Sequence, residues 1–178
     1  MGSTFSLFKY EGPKYEVVKH FDNFEVRKYD PMNIVYTNVG SDHYGFKSLA
    51  EYIGVYGQPK NESNMKIPMS VPVITGPFIE GETKKGMAFY VPDKFSPMPA
   101  PTSENVHTAT SEPVIMAIYK FSGSYGPDNV QPKVEEFEKI MEQNSIEKLN
   151  ENWVLARYNP PWTLWFMRTN EIWWPVKI

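Results

Sequence analysis

Asn33-Ile-Val-Tyr-Thr-Asn-Val39, Gly40-Ser-Asp42 and Tyr44-Gly-Phe-Lys-Ser-Leu-Ala-Glu-Tyr-Ile53 are the three consecutive stretches that decide the fold. The first is rich in β-branched and aromatic residues and reads as a strand. In the last, Phe46, Leu49, Ala50 and Ile53 fall at i, i+3, i+4 and i+7, which makes one face of a helix apolar. Ser41 or Asp42 stands where an N-cap belongs, and Gly54 where a helix places its C′ glycine. Two strand-like runs follow, over 71–79 and 87–91. The same order then returns. A strand over 114–121 passes through Gly123-Ser-Tyr-Gly126 into a helix whose stripe is Val134, Phe137, Ile140 and Met141, with Asp128 as the expected cap. Strand-like runs over 153–158 and 171–176 complete it. Ahead of both lies 24–29, alternating apolar and charged residues at period two. Two β-α-β-β units with antiparallel strands predict a two-layer or barrel-like α+β domain whose halves share a sheet.

Between the units, 92–101 carries four prolines, which forbid helix and central strand; Phe95 and Met98 give this extended loop apolar surface to bury. The whole chain has 178 residues, 41% apolar and 15% aromatic, enough for one well-filled core. Lys plus Arg is 18 and Asp plus Glu is 21, a formal charge of −3 that speaks against nucleic-acid binding. Cysteine is absent, which removes disulfides, thiolate metal sites and a cysteine nucleophile. No apolar run reaches the length of a membrane span, and no secretory signal opens the sequence. A cytoplasmic location is the expectation.

Sequence motifs for chemistry are missing. Gly123-Ser-Tyr-Gly126 lacks the length and the Lys of a phosphate loop, and neither G-x-S-x-G nor H-E-x-x-H occurs. His20, His43 and His107 share no local ligand spacing, so no metal site and no catalytic residue is assigned. The run Glu135, Glu136, Glu138 and Lys139 is the solvated face of its helix. What stands out is soft and aromatic. There are nine Met, with Met65, Met69 and Met98 in or beside Pro-rich segments. Tyr158-Asn-Pro-Pro-Trp-Thr-Leu-Trp-Phe-Met167 sets two Trp, a Phe and a Met on a proline-stiffened segment. Such residues either cap a core or line a slot for a flat apolar ligand, and Lys66 and Arg168 nearby would suit carboxylates on its rim.

The stretches Tyr15-Glu-Val-Val, Phe24-Glu-Val-Arg-Lys-Tyr29, Phe46-Lys-Ser-Leu-Ala-Glu-Tyr-Ile53, Lys66-Ile-Pro-Met-Ser-Val-Pro-Val73 and Phe89-Tyr-Val-Pro92 resemble the SOUL / haem-binding protein family. So do Val154-Leu-Ala-Arg-Tyr-Asn-Pro-Pro-Trp-Thr-Leu164 and Arg168-Thr-Asn-Glu171, and the likeness is closest to the plant-type cytosolic branch. The resemblance implies a distorted barrel of two antiparallel sheets flanked by helices, with pseudo-twofold symmetry. It implies one tetrapyrrole-binding domain over 14–178 behind a tail of 1–13. It also implies binding, buffering or transport of haem or metal-free porphyrin in an apolar surface groove, without intrinsic catalysis. One animal branch ligates iron through a His where this chain has Lys28, so weak or no axial coordination is expected. The groove is expected over Phe46, Leu49 and Ile53, edged by Met65, Lys66 and Met69, and roofed by Pro160, Trp162, Trp165 and Arg168. The plain alternative is that Phe46, Leu49 and Ile53 are simply core. The bulk of 164–167 and of Trp173-Trp174, unusual for the family, is expected to narrow, fill or retune the groove.

Two other functions compete: an enzyme whose groove serves an apolar or aromatic metabolite (haem dechelation, isomerisation or cyclisation), and a partner-binding module using exposed aromatics. Met1-Gly-Ser-Thr-Phe-Ser6 fits the N-myristoylation pattern, so membrane contact is expected only through an acylated Gly2. Asn61-Glu-Ser63 matches a glycosylation sequon and is discounted.

Overall fold

The structure, a computed structural model, describes residues 10–38, 42–77 and 86–178. Gly2, Val39, Gly40, Ser41, Phe78 and Ile79, which figure in the expectations above, lie outside the described residues. β1 (Tyr15–His20) and β2 (Glu25–Tyr29) form a hairpin; β3 (Asn33–Thr37) leads into α1 (Asp42–Ile53), followed by β4 (Val73–Gly76) and β5 (Gly86–Tyr90). β6 (His107–Thr110) precedes β7 (Val114–Phe121) and α2 (Pro127–Gln143), then β8 (Glu147–Lys148), β9 (Val154–Arg157) and β10 (Asn170–Lys177).

These strands join into one curled antiparallel sheet in the order β1-β2-β7-β10-β9-β4-β5-β3-β6, with β8 beside β10. The order is a palindrome of the two repeats. β7-β10-β9 in one half answers β3-β5-β4 in the other, and the halves meet where β4 pairs with β9 through Val73↔Arg157, Ile74↔Ala156 and Thr75↔Leu155. The expected α+β distorted barrel with two flanking helices is therefore observed. Its two sheets are hydrogen-bonded into a single one at this seam.

Side chains alternate across the sheet and sort into three cores. α1 covers the first half through Leu49, Ala50, Tyr52 and Ile53, packed on Val35, Met87 and Phe89. α2 covers the second through Val130, Val134, Phe137 and Met141, packed on Tyr119, Phe121, Ile172 and Trp174. The opposite, inner face holds Tyr29, Ile74, Ala88, Tyr90, Ile118 and Trp173. β5 is buried at every position because α1 lies on one side of it and the barrel interior on the other.

α1 ends as its glycine requires. Gly54 has φ +84°, and the Gly54 and Val55 amides donate to the carbonyls of Glu51 (3.2 Å) and Ala50 (3.0 Å), the paired bonds of a Schellman stop. α2 differs from expectation at its start. Gly126 is the N-cap residue and Pro127 opens the helix, which needs no amide there, so Asp128 sits inside the first turn facing the positive end of the dipole. The 92–101 segment is ordered, with a short 3-10 turn at Asp93–Phe95, and Phe95 and Met98 pack against the α1 core.

Candidate functional site

Each helix covers the strands of its own half, and the seam between the halves is left open on the helical side. A cavity of about 590 Å³ lies there. Its floor is Val73 of β4 and its cross-strand partner Arg157 of β9. One wall comes from α1 and the chain after it, with Asp42, His43, Phe46, Val55 and Tyr56. Met69, Ser70 and Val71 lie on a second side and Met87 beneath. Tyr158, Asn159, Pro160, Pro161 and Trp162 form the facing wall, with Tyr125 from the start of α2 and Tyr10 at the rim.

Of the ten residues named from sequence, the structure brings Phe46, Met69, Pro160 and Trp162 to this cavity. The others stand elsewhere. Leu49 (0% exposed) and Ile53 (2%) are core, because the α1 face that carries them is pressed on β3 and β5. Met65 is held at its backbone by Asn61, whose amide donates to the Met65 carbonyl and accepts from the Met65 N–H, both at 2.9 Å, and its side chain is solvent-exposed. Lys66 is exposed, its stem beside Gly54. Trp165 is exposed on a 3-10 turn. Arg168 braces its own loop, donating to the carbonyls of Thr163 (2.9 Å) and Pro161 (2.7 Å). Lys28 points to solvent on β2, away from the cavity lining. The bulk at 164–167 does not fill the groove, since those side chains face solvent. Trp173 and Trp174 are buried on opposite faces of β10, in the inner and the α2 cores.

The cation at the groove is Arg157. Its guanidinium donates to Thr75 Oγ1 (3.0 Å), approaches Asp42 Oδ2 at 3.5 Å and lies 4.8 Å over the Tyr125 ring, while its buried Nε has no partner. The Nε is shielded from solvent, so what the groove floor offers an anion is the charge and the terminal nitrogens of the guanidinium. An apolar lining of Phe46, Met69, Val73, Met87 and Trp162 fits the faces of a porphyrin ring. Arg157 was missed because its pattern is only that of a strand-terminal residue; the face it occupies follows from the register with Val73.

Behind the groove wall lies a buried polar cluster. The Tyr158 hydroxyl donates to Glu171 Oε2 (2.7 Å), which also accepts from Trp173 Nε1 (2.8 Å). Arg27 meets both oxygens of Glu171 at 3.1 Å and donates to the Tyr29 hydroxyl at 3.0 Å. Burial, then the Glu171 charge, pushes the Tyr158 phenol well above its usual pKa. Burial opposes the Arg27 charge, and Glu171 and Tyr29 overcome that, raising its pKa. Tyr158 is thus a neutral, fixed part of the wall. Among the described residues, no three His, Cys, Asp or Glu gather to hold a metal ion. His43 stands exposed at the rim, His20 is 3.7 Å from Glu25 and His107 lies 5.4 Å from the Tyr36 ring.

Fold and site together define a curled-sheet α+β protein with an apolar groove over its internal seam. Residues 10–175 match the family described as SOUL heme-binding protein, and the chain belongs to that family. It is 28% identical to human heme-binding protein 2 over 165 residues, covering 85% of this chain and 77% of that protein. Among solved structures it is similar to the C-terminal domain of EcmrR (12% identity, TM-score 0.57, 92% of this chain and 98% of that one). It is also similar to a hydrolase from Listeria innocua (13% identity, TM-score 0.56, 87% and 92%). Those two likenesses are of fold alone.

Proposed function

We propose that this protein binds haem or metal-free porphyrin in the seam groove, and buffers or carries it without chemical change. The reading takes 14–178 as one binding domain of the plant-type cytosolic branch. The observation that carries it is the pairing of an apolar cavity of about 590 Å³ with the Arg157 guanidinium at its floor. That volume falls within the ~300–1,000 Å³ of small-molecule sites. Ring faces pack on Phe46, Met69, Met87 and Trp162, and one propionate accepts from Arg157. Iron, when present, receives weak or no axial ligation, and the affinity rests on the faces and the carboxylate.

The test compares protoporphyrin with its dimethyl ester, titrated into wild type, Arg157→Ala and Trp162→Ala and followed by Trp quenching and the Soret band. Trp162→Ala is expected to weaken both ligands. Arg157→Ala should weaken only the free acid, by about 1.5–3 kcal/mol for a charge-assisted bond. Equal affinities in all three proteins would refute this site, and absence of binding to wild type below roughly 100 µM, about −5.5 kcal/mol, would refute the function.

A further inference from the structure

We propose that the loop 162–167 docks on a lipid bilayer, as a convex tip seated in the interfacial layer. Trp162 (84% exposed), Leu164 (58%), Trp165 (65%), Phe166 (56%) and Met167 (62%) are five large apolar side chains within six residues. Isolated exposed apolar residues are ordinary in a folded protein; a contiguous cluster of this kind marks an interaction surface. Trp and Phe on a projecting turn suit the headgroup boundary, where amphipathic rings gain from burial and keep contact with water.

The tip is stiff, which lowers the entropy lost on docking. Pro160-Pro161 precedes it and a 3-10 turn over Trp165–Met167 ends it. Arg168 ties the base to Pro161 and Thr163 and lies 5.1 Å over the Tyr125 ring.

Charge favours the same occupant. The chain carries −3 overall, yet 159–170 contains no Asp or Glu and one Arg, so the tip meets an anionic surface without repulsion. The patch also continues around the groove mouth, where Tyr10, Val55 and Tyr56 are exposed beside Trp162. Tyr10 lies at this mouth, and the sequence Met1-Gly-Ser-Thr-Phe-Ser6 fits the acylation pattern at Gly2. A single myristoyl chain attaches only marginally, and stable anchoring takes a second signal. The aromatic tip is such a signal, and it turns the groove mouth toward the bilayer.

The experiment uses the full chain without an acyl group and without porphyrin, so its outcome is separate from that of the proposed ligand. Co-sedimentation with phosphatidylcholine vesicles, with and without phosphatidylserine, is compared for wild type and the double variant Trp165→Ser/Phe166→Ser. Wild type is expected to partition onto at least one of the two compositions. The variant should partition roughly tenfold less, in proportion to the apolar area removed, at an unchanged melting temperature. Brominated lipid should quench wild-type Trp emission, a readout that needs no variant. Wild type that stays in the supernatant, or a variant that sediments equally, overturns the proposal. So does a wild-type dimer in analytical ultracentrifugation that the double variant dissolves without any vesicle binding, since the tip would then serve a second copy of the chain.

Discussion

Arg157 and Arg168 look alike in sequence and do different work. Arg168 spends its donors on two carbonyls of its own loop, whereas Arg157 presents its guanidinium at the groove floor. Only the strand register separates them, which is why the expected rim cations were Lys66 and Arg168. Leu49 and Phe46 show the same limit, since both lie on the apolar stripe of α1 and only Phe46 reaches the groove edge. Leu49→Ala is expected to cost about 2–5 kcal/mol in urea denaturation and to leave porphyrin affinity of the folded fraction unchanged. The buried pair offers a second check at this scale. Glu171 serves Arg27, Tyr158 and Trp173 at once, so Glu171→Ala leaves the buried Arg27 with Glu25 (2.5 Å) as its remaining carboxylate and should cost about 1.5–3 kcal/mol by the same assay.

At the scale of elements, the two helices and the strands with a buried face were legible. Their patterns, period 3.6 for α1 and α2 and β-rich apolar runs for β7 and β10, come from burial against a fixed partner. β1 and β6 were not, because both lie at the sheet ends with every side chain exposed or half-buried, so no alternation marks them. β8 has two residues and leaves no pattern at all. The groove was half legible: its wall at Pro160 and Trp162 is local in sequence, while its floor exists only once β4 meets β9. Gly54 tests the element boundary. A Cβ there would adopt φ +84° and stand 2.6 Å from Pro59 Cγ. Gly54→Ala should therefore cost more than about 1 kcal/mol in thermal unfolding, and it should loosen the groove wall formed by Val55 and Tyr56.

At the scale of the molecule, one sheet made from two similar halves explains both stability and site. The halves cannot separate without breaking the β4–β9 ladder, so the near-UV and far-UV signals should lose structure in one coincident transition. Alkali should act on the whole molecule too. Burial pushes the phenols of Tyr52 and Tyr90 up to about 12 and raises those of Tyr29 and Tyr158 as well. Their folded pKa values lie above the unfolded value near ~10, so their contribution is complete below pH ~10 and is lost as pH rises through the folded values. The melting temperature is expected to fall above pH ~10, and Tyr158→Phe should make that fall shallower.

The same duplication leaves the seam uncovered between α1 and the start of α2, the opening in which we propose that a porphyrin binds. Hydrogen–deuterium exchange with and without saturating protoporphyrin reads the location directly. Slowed exchange is expected in 42–56 and 157–163, the two walls of the groove. No change in either segment, or protection confined to the small hollow lined by His20, Phe24 and Lys120, would contradict it.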